Sequence, residues 1–67
     1  MRNIVRELRK KRGLSQADLG VILGIARQSV NAIENGKHYP SLPLAFDIAK
    51  LFELRVDQVF FQDEEDV

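Results

Sequence analysis

The 67-residue chain has no cysteine and a single histidine, His38. The first absence excludes disulfide staples and thiolate metal sites and fits a reducing compartment. The second leaves His38 unable to assemble a metal cluster by itself. Long apolar runs are missing too, and none approaches the length needed to span a bilayer. The opening stretch MRNIVRELRKKRG interleaves charges with its apolar residues, which is not the pattern of a secretory signal. Net charge is also lacking, at a formal value of zero. An intracellular domain, cytoplasmic and without a membrane partner, is the expectation.

The neutrality hides a strong asymmetry. Residues 1–40 carry eight Lys and Arg against three acids, a balance of +5. Residues 41–67 carry Lys50 and Arg55 against seven acids, a balance of −5. A basic half orients toward phosphates, while overall neutrality limits indiscriminate adhesion. Two simply solvated halves would give the same count, so the motif must decide.

The motif is QADLGVILGIARQSVNAIEN, residues 16–35. Leu19 and Leu23 lie one turn apart on one helix, and Val30 and Ile33 share a face of the next. Gly24 falls where the chain must leave the first helix, through a left-handed conformation that costs glycine little. Gly20 lacks a side chain where the second helix approaches. That second helix opens with Arg27, Gln28, Ser29 and Asn31, whose side chains suit hydrogen bonding to base edges. The pattern is a helix-turn-helix, and it points to double-stranded DNA.

Five helices are expected in all, an all-α architecture. The first runs from about Asn3, a candidate cap, to Lys11 or Arg12, burying Ile4, Val5 and Leu8 and ending at Gly13. Ser15 and Asp18 form a short capping box for the second, residues 16–23. The third covers about residues 27–35 and stops at Asn35-Gly36. Ser41 caps the fourth, with Pro43 in its first turn and Leu44, Ala45, Ile48, Ala49 and Phe52 on its apolar face. The fifth is short, from about Val56 to Phe60. Residues 1–61 then form one small domain, and 62–67 an acidic, frayed tail. A chain this short buries a modest fraction of its surface, so dimerisation would help to stabilise it.

From LRKKRGLSQADL through ARQSVNAIENGKHYPSL to FDIAKLFELRVDQVF, the chain resembles the Cro/repressor-type (Xre-like) helix-turn-helix family, in its minimal single-domain bacterial form. The resemblance implies a compact five-helix bundle of the lambda-repressor-like type, with the reading unit at helices 2 and 3. It implies base contacts at Arg27, Gln28, Ser29 and Asn31. Phosphate contacts fall to Gln16, Asn35, Gly36 and Lys37, with Tyr39 and His38 extending the clamp. Arg9 and Glu34 match a pair that ties helix 1 to the end of helix 3, a structural role. Small repressors of this kind pair through helix 5 and the chain ends, which makes Val56, Val59, Phe60 and Phe61 the interface candidates. Two copies would read a palindromic operator with half-sites about 34 Å apart.

Some positions depart from the family. Ala26 stands where relatives carry a Ser or Thr cap, which forgoes about 1 kcal/mol. Arg55 likewise replaces a cap, and Glu53 a common Gly or Asn. Val21 and Ile22 replace polar residues and would lie exposed, a possible partner patch. They motivate an alternative function, an antitoxin-like interaction module with secondary DNA binding. An enzyme is not expected, because no nucleophile–base pair or phosphate-cradling loop is present. No cofactor is implied. The leading expectation is a homodimeric transcriptional repressor, associated with the bacterial nucleoid when bound.

Overall fold

The computed structural model describes residues 1–63. Residues 64–67, most of the acidic tail, lie outside the described part. Within it, five helices and one two-stranded ribbon follow the order β1 (Arg2–Asn3), α1 (Val5–Lys11), α2 (Gln16–Leu23), α3 (Arg27–Glu34), α4 (Leu42–Leu51), α5 (Val56–Val59) and β2 (Phe60–Phe61).

Two of the helix starts follow the sequence signals. Ser15 Oγ accepts from the Asp18 N–H at 2.9 Å, and the Asp18 carboxylate accepts from the Ser15 N–H at 3.0 Å. Those bonds, backbone first, hold the Asp18 carboxyl below its ordinary pKa. Ser41 Oγ accepts from the Leu44 N–H at 3.3 Å. At α3 the cap position is Ala26, extended at φ −68° and ψ 150° and with no side chain to accept. Ala26→Ser is therefore expected to raise stability by about 1 kcal/mol, measured as a higher urea midpoint at unchanged slope. No gain would mean that the α3 start is already satisfied.

The helix ends share one device. After α3, the Gly36 N–H donates to Ile33 O and the Lys37 N–H to Ala32 O, with Gly36 at φ 72°. This paired closure satisfies carbonyls that the last turn leaves open, and it needs a left-handed residue. It recurs after α1 and α2 at Gly13 and Gly24. After α4 the same position falls on Glu53, at φ 59°. A side chain there costs about 1–2 kcal/mol, a strain that the glycine or asparagine of relatives would relieve.

The core is one cluster of Val5, Leu19, Val30, Ile33, Ile48, Ala49, Phe52 and Val59. It draws on every helix, which fixes α3 against α1, α2 and α4 and leaves its opposite side free. Arg12 lays its guanidinium over the Phe52 ring, 5.4 Å from the centroid.

Four expectations are corrected. The first helix begins at Val5 rather than Asn3, with Ile4 at the cap position; Asn3 instead belongs to β1, although its Oδ1 accepts from the Val5 N–H at 3.0 Å. Phe60 is extended, not helical, and pairs with Asn3 while Phe61 pairs with Arg2 in an antiparallel ladder. Asp63, assigned to a frayed tail, accepts from Arg2 Nε at 2.7 Å and lies 3.7 Å from the Met1 ammonium. Val59, named as an interface candidate, is fully buried (0% exposed) within its own chain, so it has no surface to give a second copy.

Candidate nucleic-acid interface

The face of α3 turned from the core carries Arg27, Gln28 and Asn31, all exposed. Together with Gln16, at the first position of α2, they line a shallow concavity of about 380 Å³. Ser29 departs from this group: it is half-buried and does not line the concavity. Val30 and Ile33, on the inner side, are 1% and 2% exposed. The helix is thus divided along its length, with one stripe holding it to the domain and the other free to meet a ligand.

Two glycines bring α2 and α3 together. Gly24 lets the chain leave α2, as above. Gly20 permits the approach, since a Cβ there would lie 2.7 Å from Ile25 O and 3.5 Å from Arg27 N. The close neighbour is therefore the turn and the first residue of α3 rather than the body of that helix.

The orientation of α3 is also locked from behind. Glu34, at its last turn, has no exposed side-chain surface. Its carboxylate accepts from Arg9 Nε at 2.7 Å and Nη2 at 3.2 Å, from Gln16 Nε2 at 3.1 Å and from Arg6 Nε at 3.3 Å. Arg9, 8% exposed, spends its remaining nitrogen on Leu14 O at 2.9 Å. Burial pushes the Glu34 carboxyl up, but the bonds from Arg9 and Gln16 and the charge of Arg9 outweigh it. The group sits below its ordinary pKa, and Arg9 above its own. Among the described residues no buried side-chain polar atom lacks a partner.

One carboxylate therefore joins α1, α2 and α3. The expected pair of Arg9 and Glu34 is present, and it is half of the arrangement. Sequence reasoning missed Arg6, whereas the Gln16 side chain, which the family resemblance assigned to bracing the third helix as well as to phosphate, does brace it through Glu34. The spacing of Arg6 and Arg9, three apart on one face of α1, was the available signal. Gln16 keeps one amide hydrogen and a first-turn backbone N–H, which has no partner inside the helix, for an anion.

The loop after α3 carries the other expected phosphate contacts. Lys37, His38 and Tyr39 are exposed. Asn35 is not a free group, because its amide bonds to Arg6 and Asn31. The Tyr39 hydroxyl accepts from the Met1 ammonium at 3.4 Å. A Cβ at Gly36 would come 2.9 Å from Met1 O, so the amino-terminal residue packs under this loop. Among the described residues there is no cluster of metal-ligating side chains, and no helix is long and apolar enough to cross a membrane.

Comparison with known proteins agrees with this geometry. The sequence profile of the Helix-turn-helix family matches residues 5–59, the span from α1 to the end of α5. The chain belongs to the Xre-like helix-turn-helix family of DNA-binding transcriptional regulators. This regulator is 48% identical over 65 residues to an uncharacterized HTH-type transcriptional regulator of Bacillus subtilis, covering 97% of this chain and 98% of that one. It is 41% identical over 66 residues to another such regulator, from the archaeon Methanocaldococcus jannaschii, covering 98% and 100%. Relatives of this size are thus not confined to bacteria. Among solved structures, the restriction-modification controller protein C.AhdI of Aeromonas hydrophila matches with a TM-score of 0.73 and 32% identity, over 84% of this chain and 85% of that one.

Proposed function

We propose that this regulator is a homodimeric repressor that reads a palindromic operator with α3 in the major groove. The observation that carries the reading is the outward trio Arg27, Gln28 and Asn31, on a helix fixed to the domain by its other stripe. Arg27 suits the O6 and N7 of guanine, and Gln28 the N6 and N7 of adenine. Lys37, with Gln16 at the start of α2, suits the flanking phosphates.

Pairing follows from what one helix can do. A single reading helix touches few base pairs, too few to outweigh a genome of competing sites. Val56, Phe60 and Phe61 are half-exposed, and Leu42 and Phe46 on α4 are 65% and 50% exposed, which supports an apolar surface for a second copy. Such a regulator would act in the cytoplasm, on the chromosome.

Selection from a random duplex pool followed by footprinting tests the reading. Two protected half-sites about 34 Å apart are expected. Enrichment of no sequence, or of one unsymmetrical site, would remove it. Two variants separate the contacts further. Gln28→Ala should cost about 1–3 kcal/mol and relax preference at one base position. Lys37→Ala should weaken all sequences alike and lower the salt slope by about one. Identical profiles for the two would refute the division between reading and positioning.

Val21 and Ile22, 83% and 51% exposed on α2, favour a second reading. There the protein neutralises a partner protein, as an antitoxin does, and DNA binding is secondary. Recovery of the native protein as a lone dimer would count against it.

A further inference from the structure

A relay of three side chains runs from α1 to the outward face of α3. Arg6 Nη2 donates to Asn35 Oδ1 at 2.7 Å, and Asn35 Nδ2 donates to Asn31 Oδ1 at 3.1 Å. Chemistry at the origin fixes the direction. A guanidinium only donates, so the Asn35 amide must turn its oxygen to Arg6. Its nitrogen is then left for Asn31, and an amide nitrogen only donates, so Asn31 must answer with oxygen. The origin is itself pinned, because Arg6 Nε donates to the Glu34 carboxylate that also holds Arg9 and Gln16. At the far end the Asn31 oxygen is engaged along the helix, which leaves its Nδ2 for the concavity that Asn31 lines.

We propose that Arg6 and Asn35 are positioning residues that set the base preference of Asn31, making it a donor-only contact that selects guanine over adenine. The inference rests on the major-groove placement of α3 proposed above. An unconstrained asparagine reads adenine by accepting from N6 and donating to N7. Here the accepting half is turned away. Two amide hydrogens match the two acceptors of guanine, O6 and N7, whereas against adenine one of them meets the N6 amino group. Neither Arg6 nor Asn35 needs to touch a base for this selection. The alternative role for the relay is purely structural, tying the end of α3 to α1, and it predicts no change in which base is preferred.

Asn35→Asp separates the two. The carboxylate still accepts from Arg6 but has no hydrogen for Asn31, so the Asn31 amide reverses and offers its oxygen outward. Added negative charge weakens all sequences alike and does not alter the ratio between bases. Sequence selection from a random duplex pool would be run on the native protein, Asn31→Ala, Asn35→Asp and Arg6→Met, with folding followed by circular dichroism.

Asn31→Ala locates the position by losing preference there. The native protein should favour guanine over adenine at that position by about tenfold. Asn35→Asp should reverse the preference toward a base with an exocyclic amino group, adenine or cytosine. Arg6→Met, if folded, should lose the guanine preference and shift toward adenine, the base that an unconstrained asparagine reads; a retained preference of about tenfold for guanine would overturn the inference. Retention of the native preference in Asn35→Asp would overturn the inference while leaving DNA reading intact. Enrichment of no sequence by the native protein would overturn the placement of α3 itself, a distinguishable failure. In the free protein, the Asn35 side-chain amide hydrogens should exchange with solvent more slowly than those of Asn31; the reverse order would also overturn it.

Discussion

Arg9→Ala is expected to destabilise the fold by about 3 kcal/mol, the lower end of the cost of breaking a buried ion pair, because Arg6 and Gln16 still hold the carboxylate. Glu34 has no exposed side-chain surface, and Arg9 supplies two of its four hydrogen bonds as well as the nearest charge. A small domain holds about 5–15 kcal/mol in total, so this loss removes a large share of its stability. Urea unfolding at neutral pH measures it, and a loss below about 1 kcal/mol would show that the pair is solvated. Replacing Arg9 and Glu34 together by Met and Leu should recover most of the stability, because the pair's attraction largely offsets its own desolvation. The same double variant should bind DNA poorly, since Arg6 and Gln16 would lose the carboxylate that orients them.

Acid should act through the same group. The Glu34 carboxyl lies below its ordinary pKa in the folded chain. Its contribution is therefore complete above the unfolded value, at about pH 4–5, and is lost as pH falls through the lower folded one. Asp18 adds in the same direction. Stability should fall on acidification below about pH 4.5, and Glu34→Gln should flatten that limb while lowering stability at neutral pH.

Gly20→Val is expected to cost about 1–3 kcal/mol and to abolish specific DNA binding. A Cβ at this position already meets the Ile25 carbonyl at 2.7 Å, and that atom belongs to the backbone of the turn. Even alanine forces α2 and the turn apart, because the atom it meets is backbone and cannot swing aside, and its better helix propensity offsets only about 0.5–1 kcal/mol of that strain. Valine adds two methyl groups to a Cβ already 3.5 Å from the Arg27 nitrogen at the start of α3, so α3 must tilt. The informative comparison is Gly24→Ala, where a Cβ meets nothing within 4 Å but the backbone at φ 72° is strained. That change should lower stability by about 1–2 kcal/mol yet leave the preferred DNA sequence as it was. If Gly20→Val retained native binding, the tight elbow would not be what orients α3.

The helices that position the interface were legible because their signals are local. Ser15 with Asp18, Ser41 before its proline, and the apolar spacing of Leu19, Leu23, Val30 and Ile33 each lie within one or two turns of the structure they specify. The pair of Arg9 and Glu34 was legible through family resemblance. The ribbon at the chain ends was not. Arg2 and Asn3 meet Phe61 and Phe60 from opposite ends of the sequence, and two-residue strands have no periodicity to read. Val59 was misassigned for a related reason: on a one-turn helix, the sequence cannot say which of several apolar residues points inward. The inward face of α4 was legible as Leu44, Ala45, Ile48, Ala49 and Phe52, which leaves Leu42 and Phe46 outside it, but two apolar residues on the outer face carry no signal of their own exposure. The bonds of Arg6, Asn35 and Asn31 depend on which amide atom faces which neighbour, a question that residue identity alone does not pose.

The Asn3 side chain reaches from β1 to the Ile33 carbonyl at 2.8 Å, and the Ile4 N–H reaches Val59 O at 3.1 Å. In most small domains the extremities fray without consequence for the rest. Here they close the molecule into a ring, and the clasp lies directly beneath the end of α3. Unfastening it would slacken α3 and the face it turns outward long before the apolar centre came apart.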